Sequence, residues 1–163
     1  MKADFNTTLG ETASRCGGRI LAGDPHLVIR TVTSDSRELG DASLFVPLIG
    51  DRFDGHDFIA ALAGEGKITA FLTMREGHAE IARSTGTAAI LCADTLSALG
   101  SIAAGHRDRI DPVIIGVTGT NGKTTTKELI HSMAALRHDA LKNVKNYNNE
   151  IGVSFTLLGL AES

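Results

Sequence analysis

The spacing of apolar residues changes along the chain, and each change predicts an element. Between Thr7 and Arg15 the pattern favours a short helix that Gly17 and Gly18 end. "HLVIRTVTSDSR" (26–37) reads as a β-branched strand closing on a polar turn. "LFVPLIG" (44–50) predicts a second strand, and Pro47, which cannot donate to a ladder, places it at a sheet edge or a bulge. In "DFIAALAGEG" (57–66), Phe58, Ile59, Leu62 and Ala63 share one helical face, with Gly64 and Gly66 as the stop. "ITAFLT" (68–73) and "TAAILCA" (87–93) are further strands. "DTLSALGSIAAGHR" (94–107) opens on Asp94, a good N-cap, and turns Leu96, Leu99, Ile102 and Ala103 inward. Residues 1–110 therefore read as one compact α/β unit.

The grammar then shifts. "RDRIDP" (107–112) reads as a linker, because the residue before proline is pushed out of helical backbone. "VIIGV" (113–117) is a continuous apolar run, the signature of a strand buried on both faces. It leads into a glycine-bearing loop and a helix expected from about Gly122 to Leu136, packing through Leu129, Ile130, Met133 and Ala134. Arg137 and His138 stand where positive charge favours a helix end. "IGVSFTLLGL" (151–160) predicts one more helix. Residues 111–163 thus read as the opening of a mostly parallel α/β sheet that needs several more βα units.

Composition narrows the function classes. Of 163 residues, 42% are hydrophobic and 21% charged, as in a globular protein. A net charge of −3, no Trp and one Tyr argue against a nucleic-acid binder. Neither a secretory h-region nor a membrane-spanning run is visible, so the expectation is a cytoplasmic protein without membrane insertion. Cys16 and Cys92 are far apart and outside any CxxC pair, so both are expected reduced and at least partly buried. The six histidines form no ligand-spaced cluster; His131 and His138 are expected as a solvated pair.

The chemistry concentrates in "GVTGTNGKTTTKELI" (116–130). A strand ending in a tight turn aims consecutive backbone N–H groups at one point, and the following helix adds its positive end. Gly119 and Gly122 allow close approach of an anion. Lys123 supplies a point charge for the β- and γ-phosphates of a nucleotide, and Thr124 a hydroxyl for Mg²⁺. The loop is a variant of the GxxxxGK[ST] signature, since Val117 stands where the first glycine belongs.

This loop resembles the ATP loop of the Mur ligase superfamily, the amide-bond-forming enzymes of peptidoglycan precursor synthesis. "TSDSRELGDASLFVPLIGDRFDGHDFI" (33–59) is similar to the UDP-sugar-binding amino-terminal domain shared by the MurE and MurF types, and its "GDRFDGHDFI" form is closer to MurF. "NVKNYNNEIGVSFTLL" (143–158) resembles the MurF segment after the first ATP-domain helix, with Ser154 where the family usually has Pro. The resemblance implies a small α/β UDP-binding domain over 1–110 and the start of a P-loop ATPase domain over 111–163. It implies ATP and Mg²⁺ as requirements, and UDP-N-acetylmuramoyl-tripeptide and D-alanyl-D-alanine as substrates, joined through an acyl phosphate. By the same resemblance Gly119, Thr120, Asn121, Gly122, Lys123, Thr124 and Thr125 hold ATP, with Lys123 and Thr124 catalytic and Thr124 also on the metal.

Asn148 and Asn149 either reach the nucleotide or substrate carboxylate, or cap the helix that follows. Ser36, Arg37, Asp51, Arg52 and Phe53 are the implied contacts to the uridine diphosphate. Arg52 has the planar fork suited to phosphate. From its neighbours alone Arg37 reads as a turn ion pair with Asp35 or Glu38, and Phe53 as core. Three readings stay open: an inactive piece of a MurF-type ligase, which the incomplete sheet favours; a stand-alone nucleotide-binding module; and a MurE-type ligase.

Overall fold

A computed structural model of the chain describes residues 3–51, 53–144 and 149–161. Its frame is a six-stranded sheet: β1 (Ala3–Thr8), β2 (Arg19–Ala22), β3 (Val28–Thr33), β4 (Ser43–Phe45), β5 (Ala70–Thr73) and β6 (Ala88–Leu91). The strand order is β1-β3-β4-β5-β6-β2. Strands β3 to β6 run parallel, while β1 and β2 close the two edges antiparallel.

Alternation along the short central strands divides the apolar residues between the two faces. Val32, Leu44, Ala70 and Ala88 are in register across the sheet and feed one cluster. That cluster packs under α1 (Leu9–Arg15), α4 (Thr95–Ile110) and α6 (Glu150–Leu158). One residue further on, Phe45, Phe71 and Ala89 point to the other face, under α2 (Ile59–Gly64) and α3 (His78–Thr85). The result is three layers, helices on both sides of a largely parallel sheet.

The helices stop and start for local reasons. Thr8 and Glu11 form a reciprocal capping box at α1. Asp94 Oδ1 accepts from Ser97 N–H at 2.7 Å at the start of α4. That helix runs on to Ile110, well into the expected linker, and ends at Asp111 in left-handed backbone (φ +49°) just before Pro112.

Several expectations are corrected. Residues 3–8 form an edge strand, so the first helix begins at Leu9 and not Thr7. The short strand β2 and helix α3 were not anticipated at all. Strand β4 lies inside the sheet, with Pro47 two residues past its end; the last backbone donor there is Val46 N–H, to Thr33 O at 2.8 Å. Phe58 faces outward at 46% exposure, because the segment before Ile59 is a 3-10 turn (Gly55–Phe58) and not α-helix. Cys92 is buried and Cys16 half-buried, both as free thiols, and burial pushes Cys92 up to about 11.

The largest departure lies between residues 113 and 144. "VIIGV" forms no strand and has no ladder partner among the described residues, and Val113, Ile114 and Ile115 are exposed. A strand of this composition needs neighbours on both sides, and no described strand flanks it. Helix α5 (Lys123–Ala134) forms where expected, yet none of its residues is buried, and Leu129 and Met133 are exposed. By contrast α6 is anchored: Phe155 and Leu158 enter the same cluster as Leu99 and Ile102 of α4. Ser154 donates its hydroxyl to Glu150 O at 2.7 Å, one turn back along that helix.

Candidate functional sites: an open helix end and a cleft at the strand ends

The glycine-bearing loop leads into α5 through Gly122, whose φ of +78° admits glycine far more readily than other residues. No described side chain caps this helix. Its first backbone bond runs from Thr126 N–H to Gly122 O at 2.9 Å, leaving the N–H groups of Lys123, Thr124 and Thr125 ahead of the helical ladder. Gly119 takes φ +147°, and a Cβ at Gly122 would meet nothing within 4 Å. The side chain of Lys123 folds back and donates to Gly119 O, so its charge sits over the loop. Thr120, Asn121, Lys123, Thr124 and Thr125 are all exposed. The arrangement suits an anion: free donors, a helix dipole and a cation converge on open space. The exposed Thr124 hydroxyl at the start of α5 is an oxygen donor of the type Mg²⁺ takes. Among the described residues no His/Cys/Asp/Glu group could hold a metal by itself.

Behind α5 the chain returns in a loop tied to it by Lys127 Nζ, which donates to Asn143 O at 2.9 Å, and by an ion pair between Lys142 and Glu128. His131 bonds Ala140 O at 3.1 Å, so its ring is engaged and not simply solvated. Asn149 caps α6, its Oδ1 accepting from Gly152 N–H at 2.9 Å. Asn148 lies outside the described residues.

The second site is a cavity of about 590 Å³ at the carboxyl ends of β3 and β4. Crevices beyond the carboxyl ends of parallel strands are where open α/β sheets bind ligands. The turn after β3 contributes Ser34, Asp35, Ser36 and Arg37; three aromatic rings, Phe45, Phe53 and Phe58, supply the apolar wall. Arg37 grips Asp35 with both arms of its fork, Nε to Oδ1 at 2.8 Å and Nη2 to Oδ2 at 2.7 Å. The guanidinium holds the Asp35 carboxyl far below the usual carboxylate range. The local ion pair expected from Arg37's neighbours is thus present, in the wall of the cavity.

Of the five residues expected at this site, Ser36, Arg37 and Phe53 line the one cavity. Asp51 is exposed in the adjoining turn and is not among the lining residues; Arg52 lies outside the described residues. Phe53 is 61% exposed, so it is not core. It sits at the tip of a hairpin, where Gly50 N–H donates to Phe53 O at 2.9 Å. A Cβ on Gly50 would come within 2.7 Å of the Phe53 ring.

Beside the cavity is a polar cluster that sequence reasoning missed. Asp54 accepts from His56 N–H at 2.9 Å and meets His56 Nδ1 at 2.6 Å and Arg75 Nη2 at 2.5 Å. These contacts, the His56 N–H first, lower the Asp54 pKa. His56 is buried, and its Nε2 faces Met74 N–H at 3.4 Å. His78 is engaged by Thr73 Oγ1 at 2.8 Å, and burial lowers its pKa. The only signal in the sequence was the Asp-x-His spacing; Arg75 stands 21 positions away from Asp54.

The chain is similar to known proteins along most of its length. The Mur ligase family, catalytic domain, matches residues 28–107, and the Mur ligase middle domain matches residues 117–163. A UDP-N-acetylmuramoyl-tripeptide–D-alanyl-D-alanine ligase of Bacillus subtilis is 39% identical over 142 residues, covering 83% of this chain and 29% of that protein. The structure of a UDP-N-acetylmuramoylalanyl-D-glutamyl-2,6-diaminopimelate–D-alanyl-D-alanyl ligase from Acinetobacter baumannii superposes with a TM-score of 0.83 at 29% identity, covering 96% of this chain and 34% of that one. MurF ligase from Thermotoga maritima in complex with ADP gives a TM-score of 0.64 at 27% identity, over 78% of this chain and 28% of that one. The chain spans about a third of the length of these relatives. Two family models that between them match most of the chain, and a shared fold, establish that it belongs to the Mur ligase family.

Proposed function

We propose that the chain supplies the uridine-nucleotide site and the ATP phosphate loop of a ligase that joins D-alanyl-D-alanine to UDP-N-acetylmuramoyl-tripeptide in peptidoglycan precursor synthesis, in the cytoplasm. The observation that carries the reading is the coexistence of two different sites in one chain. One is an uncapped helix end with a lysine over it; the other is a cleft walled by aromatic rings, hydroxyls and a guanidinium. The names of the relatives supply the chemistry, and the ADP complex of one of them supports a nucleotide at the loop. Residues 1–110 are assigned to the uridine-binding domain and 111–163 to the opening of the ATP-binding domain.

A carboxylate is a poor acyl donor, because an oxide would have to leave. In the proposed reaction the substrate carboxylate oxygen attacks the γ-phosphorus of ATP and ADP departs, giving an acyl phosphate. The amine of D-alanyl-D-alanine then attacks the carbonyl and phosphate is expelled as the amide forms. The protein's task is positioning and charge stabilisation. The N–H groups around Thr120, Asn121 and Gly122 and at the start of α5 cradle the phosphates, and Lys123 neutralises the transferring group. The Thr124 hydroxyl would hold Mg²⁺, which would supply positive charge to the phosphoryl transfer, and Thr125 adds a donor. Asn149 is committed to its cap, which leaves Asn148 as the candidate for a phosphate or carboxylate contact. In the cleft, the phenylalanines receive the uracil face, Ser36 bonds its polar edge, and Arg37 reaches the diphosphate, with Asp51 and Arg52 as further contacts.

Calorimetric titration of the chain with ATP·Mg²⁺ and, separately, with UDP tests the assignment. Lys123→Ala is expected to weaken ATP binding about ten- to a hundredfold, the size of a lost charge-assisted contact. Its UDP affinity should stay unchanged. Undiminished ATP affinity in the variant contradicts the role of Lys123.

A further inference from the structure

The wall of the uridine cavity is held from behind by a residue that does not line it. Phe53, Gly55 and Phe58 line the cavity, and Asp54 lies between the first two. Phe53 and Phe58 are largely exposed, so burial alone does little to fix their rings. The backbone that carries them is fixed instead. Gly55 N–H donates to Leu48 O at 2.9 Å, and a Cβ at Gly55 would fall within 2.8 Å of Leu48 N. Asp54 is held by the side chain and backbone of His56 on one side. Its other oxygen takes the guanidinium of Arg75 from the turn between β5 and α3. Arg75 also approaches Asp57 at 3.7 Å, on the same 3-10 turn. Its own backbone is set by the Thr73 hydroxyl, which accepts Arg75 N–H at 3.0 Å. The clamp therefore runs from the end of one parallel strand, through Arg75 and Asp54, into the loop that forms the aromatic wall.

We infer that Arg75 is a positioning residue for this cavity, acting through Asp54 to keep the Phe53–Phe58 wall in the shape that receives the nucleotide. A wall ordered beforehand spares the ligand the cost of ordering it on binding. The inference rests on the uridine-nucleotide reading of the cavity. Arg75 is half exposed and Asp54 only partly buried, so neither substitution below removes core packing. Asp54→Asn keeps an oxygen for the His56 N–H and deletes the charge that Arg75 meets.

The test is UDP titration of the wild-type chain, Arg75→Ala, Asp54→Asn, the double variant and Arg75→Lys, with ATP·Mg²⁺ as the control ligand. Each of the first two is expected to weaken UDP about three- to tenfold, with the double variant no weaker than the worse single one. Arg75→Lys should recover part of the loss, and ATP affinity should not move in any of them. Wild-type binding with an unaffected Arg75→Ala overturns the inference alone, as does a double variant in which the two losses multiply. A wild-type chain that ignores UDP overturns the uridine reading and this inference with it.

Discussion

The sheet with its five packed helices and the stretch from residue 113 to 144 obey opposite rules. In the first, strands β4, β5 and β6 are covered on both faces, and Leu44, Phe45, Phe71 and Leu72 are fully or almost fully sealed. In the second, an apolar run and an amphipathic helix are formed but uncovered, with Val113, Leu129, Met133 and Leu136 all exposed. Helix α6 shows that position along the chain does not decide the matter: it follows the open stretch and yet is seated on α4. The difference lies in whether an apolar face has found a partner, since a regular helix forms in both regions. It also bears on function. The loop proposed for the ATP phosphates belongs to the open stretch, whereas the cleft proposed for the uridine nucleotide is built on the covered sheet.

Substitutions should separate the regions, beginning with α6. Phe155→Ala is expected to cost about 3 kcal/mol of unfolding free energy in urea, the usual loss for a buried ring, if α6 is part of the main core. A loss below about 0.5 kcal/mol would place it with the open stretch. Next, Leu99→Ala on α4 should cost about 2–4 kcal/mol. Met133→Ala on α5, a comparable apolar truncation, should change stability by less than about 0.5 kcal/mol.

Acid should sharpen the contrast further. In the covered region the Thr7 hydroxyl lowers the Glu11 pKa, and the Ser97 N–H lowers that of Asp94. Because the folded values are depressed, the unfolded state binds protons first as pH falls. The stability these groups lend is present above the ordinary carboxylate range, about pH 4, and is lost as pH drops through the folded values. Asp94→Ala should cost about 1 kcal/mol at neutral pH through the lost cap. Asp94→Asn should keep most of the cap while flattening the acid limb of the stability curve. In the open stretch the half-exposed Glu128, also lowered by its Lys142 partner, should give no measurable change as Glu128→Gln. At Ala42, which holds φ +47° before β4, the sign of the effect should reverse. Ala42→Gly should stabilise by about 0.5–1 kcal/mol by relieving that backbone, read in the same urea titration.

Much of the covered region was legible because its signals are local. Helix α4 shows both a cap and a period, and β5 and β6 are apolar runs bounded by turns. The missed elements lacked such marks. "ADFNTT" and "RILA" are short edge strands whose identity comes from pairing with β3 and β6, and α3 begins at Gly77 without a side-chain cap. "VIIGV" was misjudged for the converse reason: its composition is that of a buried strand, but burial belongs to the neighbours. At the cleft beyond β3 and β4, Ser36, Arg37 and Phe53 are legible because they lie in segments contiguous in sequence. The Asp54–His56–Arg75 clamp escaped because it joins two loops from different strands, and only the folded sheet brings them together.

The central claim is that the open helix end and the cleft bind different nucleotides. Amide hydrogen exchange on the single chain, followed by mass spectrometry with ATP·Mg²⁺ or UDP added in turn, addresses it most directly. The account predicts that ATP·Mg²⁺ slows exchange from Gly119 to Thr125 and leaves residues 34–37 and 53–58 unchanged, and that UDP does the reverse. Protection of the same segment by both ligands, or of neither segment by either, would contradict it.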